Sequence, residues 1–272
     1  MTLNEYKIIQ NFLSQSCGIV LNESKQYLVK NRLTGLLQKF DLESFSELAA
    51  AININSPMTM KIKAAVVDAM TTNETFWFRD DMQFLKLKKT IFPEFFKKKT
   101  GTIKIWSAAC SSGQEPYTIS MCYEDAIKVA GKSQNVQIIG TDISETILKE
   151  AKEAVYSELA LSRGLEVQTK NRFFQKTHVG YKLIPDITRR VRFQQFNLLK
   201  PFSVLGRFDI IFCRNVLIYF SDEVKKDILT RMAKSLEPGG YIFLSSTESM
   251  PADIKEFEPI RNGRVRYFKK VS

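Results

Sequence analysis

Two runs of the chain restrict its fold more than any other: Lys104-Ile-Trp-Ser-Ala-Ala-Cys-Ser-Ser-Gly-Gln-Glu-Pro-Tyr-Thr-Ile-Ser and Val136-Gln-Ile-Ile-Gly-Thr-Asp-Ile-Ser. An apolar run, a loop of small residues, a helix start and a second apolar run ending in an acid make the opening of a nucleotide-binding βαβ unit. A pyrophosphate-binding loop spaces three glycines so that the backbone can approach the ligand at a helix N-terminus. This loop offers Ala109, Cys110, Ser111, Ser112 and Gly113, a poor match. S-adenosylmethionine has no phosphate. It needs a close-approach turn, an acid for the ribose hydroxyls and a partner for an ammonium group, which Gly113, Asp142 and Glu115 can supply in turn. An ordinary αβ turn, with Glu115 favoured in the first turn by the helix dipole, accounts for the same residues.

Further strand and helix patterns extend this unit. Strand-like runs at 103–108, 136–141, 191–195, 208–212 and 241–245 alternate with helical segments at 114–130, from 144, and at 222–236. That order predicts an α/β fold with a doubly wound, mainly parallel sheet and a ligand site at the carboxyl ends of its strands. Residues 264–269 alternate like an added antiparallel strand. A long interruption between about 159 and 190 holds Phe173, Phe174, His178 and Tyr181, and connections of that length are often functional.

The first 70 residues have helical periodicity instead. Tyr6, Ile9, Phe12 and Leu13 form one apolar stripe, and Tyr27, Leu28, Leu33, Leu36, Leu37 and Phe40 a second, with further helices expected after Asp41 and Pro57. The second helix carries Lys25, Lys30, Arg32 and Lys39 without an intervening acid. Such a row is either a solvated face or a docking surface for an acidic helix. Between the helical region and the first strand lie the polar-to-aromatic run Thr71-Thr-Asn-Glu-Thr-Phe-Trp-Phe-Arg-Asp and a basic helix. The expected organisation is a helical bundle at 1–70, a linker and helix at 71–102 contributing to the site, and the cofactor domain at 103–272, with a β-subdomain inserted at about 160–190.

Composition sets outer limits. Four scattered cysteines and a single histidine, His178, do not support a metal site. No apolar run approaches the roughly 20 residues a membrane span requires, and no basic start with a hydrophobic stretch marks the N-terminus. The expectation is a soluble, cytoplasmic and monomeric protein with no membrane insertion. The formal charge of +11 suits an acidic partner without choosing among nucleic acid, membrane and protein.

Five motifs in order resemble the CheR-type protein-glutamate O-methyltransferases that modify chemotaxis receptors: Thr72-Asn-Glu-Thr-Phe-Trp-Phe-Arg, Trp106-Ser-Ala-Ala-Cys-Ser-Ser-Gly-Gln-Glu-Pro-Tyr, Thr141-Asp-Ile-Ser, Phe196-Asn-Leu-Leu and Phe212-Cys-Arg-Asn-Val-Leu-Ile-Tyr-Phe. The resemblance covers about residues 5–270. It implies an N-terminal helical domain and a Rossmann-like S-adenosylmethionine-dependent methyltransferase domain carrying a small antiparallel β-subdomain. It assigns Asn73, Thr75, Arg79, Glu115, Asp142, Asn197, Leu198, Arg214 and Asn215, beside the Gly113 read from the loop, to the pocket for S-adenosylmethionine and its product S-adenosylhomocysteine. Arg79 and Tyr219 carry over as the catalytic pair. The implied partner is a chemoreceptor cytoplasmic helix bearing methylatable glutamates, docked on Lys25, Lys30, Arg32, Lys39 and the β-subdomain.

Two rival functions share parts of this pattern. A nucleic-acid methyltransferase would also be basic, but the chain has Arg214-Asn-Val-Leu-Ile-Tyr where base-amino methylation commonly uses Asn/Asp-Pro-Pro-aromatic. Cys213 lacks the Pro-Cys context of a cytosine-attacking thiol. A non-catalytic cofactor-binding scaffold is disfavoured by the presence of both Arg79 and Tyr219. Some relatives carry a glycine-rich β-subdomain that grips a receptor pentapeptide by strand addition. Phe173-Phe-Gln-Lys-Thr-His-Val-Gly-Tyr-Lys is shorter and contains only Gly180, so independence from such tethering is expected.

Overall fold

Capping residues punctuate the first 70 positions as the helical periodicity requires. The computed structural model describes residues 1–132, 134–263 and 265–271. Arg264, expected to begin the last strand, and Ser272 lie outside them. Contacts divide the chain into two units, Met1–Thr72 with Tyr219–Lys225, and Asn73–Ile218 with Lys226–Ser272.

The first unit contains the helices Leu3–Cys17, Gln26–Lys39, Phe45–Asn53 and Pro57–Met70. Thr2 and Glu5 form a capping box at the first, Gly18 ends it in a left-handed conformation, and Ser44 and Ser56 cap the third and fourth. The core includes Tyr6, Ile9, Leu13, Val29, Leu33, Leu48, Ile62 and Val66. The second helix departs in part from its expected stripe: Leu33 is buried as expected, but Val29 is buried beside it and Tyr27 is 75% exposed.

The expected docking row is also altered. Lys25 belongs to a short 3-10 turn preceding the helix, and Arg32 turns back on its own unit. Its guanidinium donates to the Met70 and Thr71 carbonyls at 2.8 and 3.1 Å and to Thr72 Oγ1 at 3.2 Å. Arg32 therefore satisfies the carbonyls that end the Pro57–Met70 helix, leaving Lys25, Lys30 and Lys39 as the exposed cations.

The second unit is built on β1 (Ile103–Ala108), β2 (Val136–Asp142), β3 (Val155–Tyr156), β4 (Phe174–Thr177), β5 (Gly180–Leu183), β6 (Val191–Gln195), β7 (Phe208–Cys213), β8 (Leu236–Phe243), β9 (Phe257–Asn262) and β10 (Val265–Lys270). Seven of these form a sheet in the order β6-β2-β1-β7-β8-β10-β9. The first five in that order are parallel, while β10 pairs antiparallel with β8 and β9. Nearly continuous burial of β1, β7 and the end of β8 fits strands covered on both faces. Strand order reverses at β1, which pairs with both β2 and β7, so the crevice for a ligand opens at the carboxyl ends of these strands.

The insertion forms a separate antiparallel sheet in the order β3-β5-β4. It begins before the expected residue 160, because the two-residue strand Val155–Tyr156 is too short to read from alternation. Tyr156, Phe173, Phe174 and Leu183 join the core of this unit beside the fully buried Trp77. Among the described residues, no helix is long and apolar enough to cross a membrane.

Candidate active site

The loop leaving β1 takes an unusual backbone path. Ala109, Ser111 and Gly113 have φ of 55°, 51° and 92°; for a residue with a Cβ, the left-handed region costs about 1–2 kcal/mol. Neighbouring groups hold this path. Cys110 N–H donates to the Thr141 carbonyl (2.9 Å), Ser111 N–H to Asp142 Oδ2 (2.9 Å), Ser111 Oγ to the Asn73 carbonyl (2.8 Å) and Tyr156 Oη to the Ser112 carbonyl (2.7 Å). Asp142 ends β2, is 6% exposed, and accepts a second backbone hydrogen bond from Ser144 N–H at 3.0 Å. One carboxylate thus fixes both loops at the switch point.

Gly113 also has a packing role within the protein. A Cβ added there would face Ala151, Phe193 and Tyr117 at 3.1–3.2 Å, so the missing side chain serves close packing of the helix Gln114–Ala130. The positive φ makes the requirement for glycine stricter.

Glu115, expected to be open to an ammonium group, is already engaged within the protein. Its Oε1 accepts from Ser107 Oγ at 2.7 Å and its Oε2 from Arg214 Nη1 at 2.9 Å. Arg214 has a side chain only 2% exposed. Its Nη2 also donates to Asp80 Oδ2 at 2.7 Å and to the Arg79 carbonyl, and its guanidinium lies 5.3 Å from the Phe84 ring centroid. One buried cation therefore joins the end of β7, the first turn of the Gln114–Ala130 helix and the segment carrying Arg79. Arg214 Nε is buried and has no acceptor among the described residues.

The segment carrying Asn73, Thr75 and Arg79 is clamped by the insertion. Trp77 N–H donates to the Arg163 carbonyl at 3.1 Å, and Arg163 pairs with Glu74. The guanidinium groups of Arg79 and Arg163 lie 5.2 and 5.5 Å from the centroid of the same Phe76 ring. The Glu74 carboxyl is held below its ordinary range, chiefly by the hydrogen bond and charge of Arg163 and less by the charge of Arg79. Gly164 has φ of 87°, and a Cβ there would lie 2.0 Å from the Trp77 carbonyl oxygen. Gly164→Ala is therefore expected to displace this segment. Left-handed strain of about 1–2 kcal/mol, added to the clash, should lower the thermal midpoint by at least about 4 °C. An unchanged midpoint in a melting scan would show that the clamp does not hold the segment.

Of the remaining expected residues, Asn197, Leu198 and Asn215 lie in the second unit and Tyr219 in the first. Phe196 N–H donates to the Asp142 carbonyl at 2.8 Å, which brings the adjacent Asn197-Leu198 pair to the end of β2. Asn197 Oδ1 accepts from Leu199 N–H at 3.0 Å, and Leu198 is buried. Asn215 follows Arg214 with φ of 59°, and its N–H donates to Glu248. Tyr219 belongs to the first unit, where its carbonyl accepts from Val20 N–H at 3.0 Å.

Sequence reasoning missed Glu248. It is 5% exposed and accepts from the N–H groups of Asn215, Val216, Leu217 and Ser245 and from Ser245 Oγ, at 2.7–3.0 Å. Cys110 and Cys213 are buried, and burial foremost, then neighbouring carboxylates, pushes both thiols well above their ordinary range. Neither supplies a thiolate nucleophile near neutral pH.

Residues 73–265 match the model of the CheR methyltransferase SAM binding domain, and residues 4–71 that of the CheR methyltransferase all-alpha domain. The chain is 45% identical over 259 residues to a chemotaxis protein methyltransferase of Vibrio parahaemolyticus, covering 94% of this chain and 93% of that one. Identity to chemotaxis protein methyltransferase Cher2 of Pseudomonas putida is 44% over 250 residues, 90% of either chain. A chemotaxis protein methyltransferase of Salmonella typhimurium is 32% identical over 257 residues, 93% of this chain and 86% of that one.

Proposed function

The chain belongs to the CheR methyltransferase family, whose cofactor is S-adenosyl-L-methionine, and on that ground we propose that it methylates glutamate side chains on the cytoplasmic helices of chemoreceptors. The observation that carries this reading is the similarity to chemotaxis protein methyltransferases across nine tenths or more of the chain.

The donor set suits the cofactor. Its amino-acid end bears both signs of charge, and the crevice offers both in Glu115 and Arg214, the latter with a buried Nε donor to spare. When bound, S-adenosylmethionine supplies a methyl group on a positively charged sulfur. Asp142 is assigned to the ribose hydroxyls, Asn197 and Leu198 to the adenine, and Glu115 with Arg214 to the amino-acid end. Asn73, Thr75 and Asn215 complete the pocket.

Arg79 is assigned to the incoming carboxylate, which a guanidinium can grip with two parallel hydrogen bonds. Glutamate is ionised near neutral pH, its reference pKa being about 4.3, so the site needs no strong base. Alignment is the main task, and orientation can contribute up to about 7–11 kcal/mol. Tyr219 is retained as the partner of Arg79 on the family resemblance alone.

Receptor docking is assigned to Lys25, Lys30, Lys39 and the β-subdomain. Pentapeptide tethering is excluded from this reading. The β4–β5 hairpin has strands of four residues, and Gly180 is required internally, since a Cβ there would lie 2.7 Å from the Tyr156 carbonyl. The test is the initial rate of labelled methyl transfer to a chemoreceptor cytoplasmic fragment with and without a C-terminal pentapeptide. Equal rates are expected. A loss approaching the 10²–10⁴-fold range of effective-concentration gains, roughly, would restore tethering, whereas no transfer to either fragment would count against the receptor substrate itself.

A further inference from the structure

We propose that a groove beside the C-terminal end of the Gln114–Ala130 helix docks an acidic amphipathic helix of a protein partner. The groove has a volume of about 890 Å³, within the size range of built ligand sites. Its lining carries Lys88, Lys89, Lys97, Lys128, Lys132 and Arg172 against one carboxylate, Asp125. That carboxylate is already neutralised, with Oδ2 3.0 Å from Lys88 Nζ and Oδ1 paired with Arg172. Lys89, Lys97 and Lys128 are exposed and have no carboxylate partner among the described residues. A row of unmatched cations around a concavity raises the local potential for an anion supplied from outside.

The apolar part of the lining indicates what kind of anion fits. It includes Pro93 and Val129, and Val129 is 89% exposed despite its apolar side chain. Phe92 N–H bonds to the Leu87 carbonyl in a π-helical turn just before Pro93, a local widening that accommodates the ring lacking an N–H donor. The one aromatic ring in the lining, Phe96, is 4% exposed and stacked on Phe92, so the groove offers no platform for nucleic-acid bases. Its concave shape fits the ridge of apolar side chains on a helix, with flanking glutamates reaching the lysines. This site lies apart from the residues assigned to methyl transfer and does not depend on that assignment.

The test uses the full chain and a fluorescein-labelled helical peptide of about five turns, with leucines along one face and glutamates beside them. Fluorescence anisotropy is expected to show binding that weakens at least about tenfold, or about 1.4 kcal/mol, in the Lys89→Glu, Lys97→Glu, Lys128→Glu triple variant. The Lys25→Glu, Lys30→Glu, Lys39→Glu triple variant should weaken it far less. Val129→Asn should also weaken binding with an unchanged melting midpoint, and a peptide with serine replacing leucine should bind poorly. No binding by the wild-type chain, equal losses in the two triple variants, or equal binding of the serine peptide would overturn the proposal. Preferential binding to phosphatidylserine vesicles with loss in the same groove variant would overturn it in favour of a lipid surface.

Discussion

Arg214→Met is expected to lower stability by about 3 kcal/mol and to weaken S-adenosylmethionine binding at least about tenfold. Methionine keeps much of the apolar stem but leaves Glu115 and Asp80 without their shared cation. Removing one partner from a buried ion pair typically costs about 3–5 kcal/mol. The lower end applies because the Asp80 side chain retains 31% exposure while that of Glu115 retains 13%. The same change releases the Arg79 carbonyl from Nη2, so the segment carrying the proposed carboxylate clamp loses one of its anchors. Arg214→Lys should recover part of the stability through one ion pair but little cofactor affinity, since an ammonium group cannot span Glu115, Asp80 and the Arg79 carbonyl together. Denaturant midpoints and calorimetric titration separate the two effects. Wild-type values for the methionine variant in both would show that Arg214 does not organise the site.

Glu248→Gln is expected to be strongly destabilising although it preserves the shape of the side chain. Oε1 accepts from Val216 and Leu217 N–H, and Oε2 from Asn215 N–H, Ser245 N–H and Ser245 Oγ. Whichever way a glutamine amide is turned, its NH2 faces at least two N–H donors that previously met an oxygen. Each buried donor left unsatisfied costs about 1–3 kcal/mol, giving a loss of roughly 2–6 kcal/mol. Because residues 215–217 directly follow Arg214, faster hydrogen exchange at their amides should accompany the fall in unfolding midpoint. A glutamine variant with wild-type stability and exchange would contradict this account of the loop.

Arg214 is named by the family resemblance, but its ion pairs, and Glu248 altogether, are illegible in the sequence for the same reason. Arg214 meets Asp80 and Glu115 at sequence separations of 134 and 99, and Glu248 meets residues 215–217 at separations of 31–33. Periodicity and local motif spacing do not report pairings over such distances. The βαβ opening was legible because its signals are local: β1 and the following helix occupy Ile103–Ala108 and Gln114–Ala130, and Asp142 ends β2.

Other differences have equally specific causes. Strand β9 is hard to read from the sequence because it contains Pro259, a residue tolerated in a sheet chiefly at an edge, where β9 lies. Arg32 has the sequence context of a surface cation, yet its guanidinium reaches the end of a helix 38 residues later. Gly113 marks the loop correctly, but its Cβ direction is committed to internal packing. The family motifs point to the loops at the carboxyl ends of β1, β2 and β7, while the hydrogen bonds that hold those loops in shape became visible only in three dimensions.

The most direct measurement is the chemical identity and position of the methyl group transferred from tritium-labelled S-adenosylmethionine in the presence of a chemoreceptor cytoplasmic fragment. Receptor-bound label is expected that alkali releases as methanol and that maps by mass spectrometry to glutamate side chains. Alkali-stable label on the receptor, or label found on RNA or DNA instead, would contradict methylation of receptor glutamates.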